Sequence, residues 1–370
     1  MEEVVIVIAD LYLAGAAEAA SIRGVDLPGL ARIARYGSSQ PLELGWRPWL
    51  AIWSGQSELS QSAPATVAAA ASLVTADEVN GRMAWLATPV HLVAGLSSVH
   101  LDARGLLQVE LDARRELAQD FNSVFAESGF RLEALPSASF LMTGPRIEDL
   151  DTVEPARILG ASVSEVLPEA STAPTLRRLV AEIEMWLHGH RVNDDRARNG
   201  RMPITALWLW GGGVVRQGIN DLGVEQEMLS SDLTDTVPAS VVRGAALAAT
   251  ARPIPGVAFG RDPYLHGLWR ASGSNARPMP RNFEEVLGHT GRRAVFVLEL
   301  SQAFDEHRNW TLRDALADVD SRWIVGALEA LRRRDIGRIT VVANDRRLSL
   351  GTRDSWKLWR MPRPALTALQ

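Results

Sequence analysis

The chain has 370 residues, 46% of them hydrophobic and 22% charged, which is enough for roughly two domains with full cores. With 39 Lys and Arg against 44 Asp and Glu, its net charge of −5 lacks the basic excess that phosphate-backbone binding uses, so nucleic acid is not the expected partner. There is no cysteine, so disulfides and thiolate metal sites are excluded; any metal must be held by carboxylate, imidazole or hydroxyl groups, and a reducing cytoplasm fits.

The first run, "MEEVVIVIADLYLAGAAEAA", combines apolar and small residues as a secretory signal does, but Glu2 and Glu3 stand where a signal needs positive charge. Asp10 interrupts the apolar stretch, which predicts a buried strand ending on a carboxylate. No other run is apolar and long enough to suggest a membrane span. The stretch "LPGLARIARYG" places Leu30, Ile33 and Ala34 on one helical face, with Gly37 at its stop. From about residue 80 the grain changes. "MAWLATPVHLVAG", "SSVHLD" and "GLLQVELD" read as strands, "ARRELAQDFNSVFAESG" as a helix and "FRLEALPSASFLMTG" as further strand, the order of a small α+β unit.

After a helix from Thr175 to His188, three short, nearly continuous apolar runs resemble the first: "TALWLWGGG", "RRAVFVLEL" and "GRITVVAND". Such runs suit strands covered on both faces, as in a parallel sheet flanked by helices. Between the last two, Leu312, Leu316, Val319, Trp323, Ala327, Leu328 and Leu331 recur at helical spacing and predict a crossover helix. The expected fold class is therefore α/β, a doubly wound, mostly parallel sheet with a smaller α+β domain inserted in it. The expected boundaries are residues 1–79 and 161–370 for the core and 80–160 for the insertion.

The segment "RVNDDRARNGRMPITALWLWGGG" joins a charged stretch, a turn, a tryptophan-bearing strand and three glycines. If it faces the crevice of Asp10 and Asp345, Asn193, Arg196 and Arg201 form an anion-binding wall, with the amides of Gly211, Gly212 and Gly213 nearby. Alternatively the glycines only turn the chain after Trp208 and Trp210, and Arg196 pairs with a neighbouring Asp. Neither a phosphate-loop nor a dinucleotide-binding glycine pattern follows. His188 and His190 are spaced so that their rings diverge rather than meet on one metal, and His91 and His100 fall on predicted strands. Arg261, Asp262, Tyr264 and His266 form an unspecific polar and aromatic loop, and the carboxyl-terminal "DRRLSLGTRDSWKLWRMPRP" is locally basic.

The segment "VNDDRARNGRMPITALWLWGGG" resembles the central segment of the archaeal-type, cofactor-independent phosphoglycerate mutases of the alkaline phosphatase superfamily, and more closely that of bacterial relatives described as regulatory proteins of the RpfE type. The resemblance implies an alkaline-phosphatase-like α/β core, and in the enzymes a serine nucleophile and two divalent metals held by Asp and His. It assigns Asp10 to the first metal carboxylate, although Leu11 replaces the family's glycine. It aligns "FDEH", with Asp305 and His307, to a longer Asp-Glu-x-Gly-His element. Where the family has a strand ending in Asp-His, this chain has Asn344 and Asp345, followed by Arg346 and Arg347, and no histidine follows His307. The serines at 54, 57, 60 and 62 provide no convincing nucleophile frame.

Positive charge beside a dication raises the cost of placing it, so a two-metal centre is not expected. Asp10, Asp305, His307 and Asp345 remain candidates for one weakly held Mg²⁺ or Mn²⁺, or else pair with nearby arginines. Two readings follow. One is a non-catalytic, regulatory or anionic-ligand-sensing bacterial protein, cytoplasmic, whose partner is a phosphorylated or acidic small metabolite or another protein. The other is a metal-dependent phosphomutase or phosphohydrolase with an altered site.

Overall fold

A computed structural model describes residues 1–13, 24–72, 81–95, 98–146, 152–163, 166, 174–215, 256–289, 291–306, 309–354 and 369, the side chains of 174–176, 305 and 306 excepted. In chain order its strands are β1 (Glu3–Ile8), β2 (Ser38–Pro41), β3 (Met83–Ala94), β4 (Val99–Leu106), β5 (Arg131–Ala134), β6 (Phe140–Gly144), β7 (Ala206–Val214), β8 (Gly256–Gly260), β9 (Arg293–Leu298), β10 (Arg338–Ala343) and β11 (Arg346–Gly351). They fall in two compact units. The first is Met1–Ser57, Pro253–Arg261 and Asn275–Gln370; the second is Glu58–Arg252 and Asp262–Ser274. The 80–160 segment lies within the second unit, which is wider than the insertion expected.

The first unit is α/β. β1 runs parallel to β10 on one side and β9 on the other, and β8 continues the sheet parallel to β9. β11 and β2 extend the β10 edge in antiparallel pairing. Every residue from Val4 to Ile8 is buried, which is why this strand carries no alternating polar position. Val4, Ile6 and Ile8 pack with Leu30 and Ile33 of the Pro28–Tyr36 helix and with Leu316, Ile324 and Ala327. On the other face Glu3 accepts hydrogen bonds from Trp53 Nε1 at 2.9 Å and Thr340 Oγ1 at 2.8 Å.

The crossover between β9 and β10 keeps the predicted apolar stripe but is not one uniform helix. Leu312–Val319 and Val325–Arg333 are joined by a π-helical turn at Asp320–Ile324. The widened turn carries Asp320, whose carboxylate accepts the N–H groups of Gly29 (2.9 Å) and Leu30 (2.6 Å) and so caps the Pro28–Tyr36 helix. Burial pushes that carboxyl above its ordinary pKa, against the pull of the two hydrogen bonds.

The second unit holds an antiparallel sheet in the order β4-β3-β6-β5, with β7 also paired to β3. This corrects the placement of "TALWLWGGG", which was expected in the parallel sheet. The strand is buried on both faces for a different reason. Leu207 and Leu209 pack with Leu117, Phe121, Leu179 and Ile183, while Trp208 and Trp210 pack with Ala65, Ala68 and Leu86. Two apolar layers yield the same continuous pattern whichever sheet lies between them. Residues 99–102 of the "SSVHLD" run and 105–106 of the "GLLQVELD" run belong to the single strand β4, and the following Leu111–Val124 is helical. Among the described residues no helix is long and apolar enough to cross a membrane.

Candidate functional site

In the first unit the expected metal carboxylate sits just beyond the end of β1. Asp10 is 9% exposed, and its two oxygens accept the N–H groups of Leu300 (2.6 Å) and Ser301 (2.8 Å), at the start of the Leu300–Glu306 helix. Burial raises its pKa, while the bonds from Ser301 and Leu300 pull the other way. The carboxylate thus satisfies two amides that a helix start leaves without intrahelical partners.

The Asn344-Asp345 pair occupies the two central positions of the β10–β11 hairpin, with φ of 49° and 52°. Two consecutive positive φ angles between paired Ala343 and Arg346 are the signature of a type I′ turn, whose twist matches that of the flanking strands. Asn344 is stitched into its surroundings. Its N–H donates to Leu11 O at 3.0 Å, its Oδ1 accepts from Leu13 N–H at 2.7 Å, and its Nδ2 donates to Leu369 O at 2.5 Å. Arg346 and Arg347 reach Ser39 and Gln40 of β2.

These groups do not fit a two-metal centre. Both oxygens of Asp10 are engaged by amides, the next strand end presents a carboxamide tied to main chain, and two guanidinium groups follow it. Among the described residues there is no group of three or more His, Asp or Glu able to hold a metal ion. Asp305 falls in the Leu300–Glu306 helix, but its side chain and all of His307 lie outside the described residues.

The expected anion-binding residues all belong to the second unit, whereas Asp10, Asp305, His307 and Asp345 belong to the first. Asn193 is 8% exposed and fully engaged. Its Nδ2 donates to Leu187 O (2.7 Å) and Ile204 O (2.8 Å), and its Oδ1 accepts from Ile204 N–H (2.7 Å). Arg196, 6% exposed, donates through Nε to Met202 O at 2.7 Å and through a terminal nitrogen to Gln108 O at 3.0 Å. These bonds fasten the Arg191–Arg198 helix to the turn before β7. Arg201 is more exposed and lies 4.0 Å from Glu110.

The three glycines lie inside β7 rather than after it. Pairing shifts between Ala84↔Gly213 and Leu86↔Trp210, a bulge in which Gly211 takes a φ of 63°. A Cβ on Gly212 would meet the Trp85 ring at 2.5 Å, so the small residue makes room for a fully buried indole. The neighbouring indoles are satisfied: Trp208 Nε1 donates to Val153 O and Trp210 Nε1 to Thr88 Oγ1, both at 2.9 Å.

The second unit also contains a cavity of about 550 Å³ lined by Glu116, Asp120, Trp186, His190 and Arg191, together with Gln119, Ser123 and Gly189. Its residues were not gathered from the sequence, although two spacings mark it. Glu116, Asp120 and Ser123 recur on one face of the Leu111–Val124 helix, and Trp186 stands four residues before His190. His190 is the N-cap of the Arg191–Arg198 helix, its Nδ1 accepting from Val192 N–H at 3.1 Å.

No family model matches the chain. Over 76 residues it is 36% identical to 2,3-bisphosphoglycerate-independent phosphoglycerate mutase 2 of Methanothermobacter thermautotrophicus, an alignment that takes in 20% of this chain and 19% of that relative. Alignment with the solved cofactor-independent phosphoglycerate mutase of Thermoplasma acidophilum covers 95% of this chain and 90% of that one, at 16% identity and a TM-score of 0.33. A solved protein of Pyrococcus horikoshii aligns over 95% of this chain and 89% of its own, at 10% identity and a TM-score of 0.43.

Proposed function

We propose that this chain is a divergent, non-catalytic phosphoglycerate-mutase-like protein of the alkaline phosphatase superfamily, with a regulatory or anionic-ligand-sensing role in a bacterium. The local 36% identity to a phosphoglycerate mutase and the resemblance of the 192–213 segment support the kinship. The observation that carries the loss of catalysis is the use of the two strand ends. Metal-assisted phosphoryl transfer needs carboxylates and imidazoles open towards a pair of cations. Here Asp10 serves as a helix cap, and Asn344-Asp345, which replaces the Asp-His pair, serves as a hairpin turn.

Elemental analysis of the purified chain and an assay of phosphoglycerate mutase activity with added Mn²⁺ test this reading. The expected outcome is no stoichiometric pair of Mn²⁺ or Zn²⁺ and little turnover. Two bound metals with turnover abolished by Asp305→Ala would overturn it in favour of a metal-dependent phosphomutase or phosphohydrolase.

A further inference from the structure

We propose that the cavity beside Trp186 binds a small organic cation in which an ammonium neighbours a hydroxyl, as in an amino sugar. A volume of about 550 Å³ admits such a molecule. The proposal stands apart from the proposed function, because its residues belong to the second unit and take no part in the strand-end chemistry.

One wall is rigid and aromatic. Trp186 donates from Nε1 to Asp120 Oδ2 at 2.8 Å and is held edge-on by Phe121, Phe125 and His190, at centroid distances of 5.9, 6.0 and 5.0 Å. An indole fixed in this way offers a pre-ordered apolar surface to a ring or aliphatic body.

The second wall supplies acceptors. Both neighbours of Asp120, Trp186 Nε1 and His190 Nε2, approach Oδ2, which leaves Oδ1 without a partner among the described residues. Glu116, one helical turn away, meets Arg191 through Oε1. Two carboxylates therefore face the cavity with open acceptor positions, and the one guanidinium at its rim, with 74% of its side chain exposed, already leans on one of them.

The independent pointer to a ligand is His190. The residue is 7% exposed, and Nδ1 accepts from Val192 N–H, which leaves Nε2 as the ring's donor. That nitrogen makes no hydrogen bond among the described residues and lies 3.5 Å from Asp120 Oδ2. A ligand hydroxyl oxygen would satisfy it while the adjacent ammonium meets Asp120 Oδ1. Two carboxylates line the cavity against one guanidinium, which favours a cation over an anion.

Calorimetry of the full chain with glucosamine, glucose and inorganic phosphate tests the proposal. Glucosamine should bind saturably, and glucose, which lacks the ammonium, about tenfold or more weaker, as for loss of a charge-assisted hydrogen bond. Asp120→Asn, which keeps an acceptor for Trp186, should weaken glucosamine by about tenfold or more. Arg191→Ala should strengthen it by removing the competing internal cation. Glu116→Gln should weaken glucosamine as well, which provides a second variant if Asp120→Asn does not fold. No saturable heat with glucosamine, equal binding of glucose, or unchanged affinity in a folded Asp120→Asn chain overturns the proposal. So does phosphate binding that Arg191→Ala weakens.

Discussion

The end of the parallel sheet and the cavity beside Trp186 use acidic side chains in opposite ways. Asp10 directs both oxygens at main-chain amides, and the turn at Asn344 is tied to three further main-chain groups. Asp120 makes its contacts through one oxygen and faces a cavity with the other. A polar group saturated by backbone stabilises one conformation, whereas a group left open to solvent adds little to folding and remains available to a ligand. The contrast teaches that a carboxylate's position at a strand end does not by itself make it a ligand. What matters is whether its lone pairs are already engaged.

The largest expected effect tests the saturated class at its most charged member. Arg196→Ala removes hydrogen bonds from a buried guanidinium to Met202 O and Gln108 O and leaves both carbonyls short of a donor. We expect a loss of about 3 kcal/mol or more in urea unfolding. An unchanged midpoint together with weakened phosphate binding would restore Arg196 to an anion-binding wall.

Next, Asp10→Ala should cost about 2 kcal/mol, since it strips the cap from two buried amides. The pH dependence sharpens this further. Burial holds the folded Asp10 carboxyl above 3.8, so the folded chain binds that proton more tightly than the unfolded chain. The resulting stability is fully present below the unfolded value and is lost as pH rises through the raised folded value. Urea midpoints measured across that window should fall with rising pH less steeply in Asp10→Asn than in the wild type. A residual slope should remain, because Asp320 is shifted in the same direction.

The hairpin should yield a smaller pair of effects of opposite sign. Asn344→Ala places a side chain without local hydrogen-bonding capacity at a φ of 49° and should cost about 1–2 kcal/mol. Asp345→Gly, at a φ of 52°, should be neutral or stabilising by up to about 1 kcal/mol, because glycine suits that turn position. Two equal losses in thermal unfolding would argue for a role of Asp345 beyond the turn.

The smallest effect belongs to the open class. Asp120→Ala removes one partly buried hydrogen bond, that from Trp186 Nε1, and should cost about 1 kcal/mol or less. A loss as large as that of Asp10→Ala would erase the contrast between the two regions.

Much of the architecture was legible in the chain. The buried strand β1, the Pro28–Tyr36 helix, the crossover stripe from Leu312 to Leu331 and the change of grain near residue 80 are all local patterns, and burial imposes them directly on the choice of residues. The hairpin signal is present as well, in two small polar residues between "VVA" and "RRLSL", although the family resemblance sets the pair against a metal-binding Asp-His and makes Asp345 a ligand candidate. Tertiary structure decided the rest. Periodicity reports that β7 is covered on two faces, not which strand it pairs with, so its place beside β3 emerged only from packing. Likewise the type of a polar residue shows what it can bind, not what it meets. Asp10 meets amides 290 residues away in sequence, Arg196 meets the carbonyl of the distant Gln108, and Glu116, Asp120 and Trp186 share a cavity because the Leu111–Val124 and Pro174–His188 helices are brought together. Hydrogen-bond saturation is a property of the folded neighbourhood, and no local pattern in the chain encodes it.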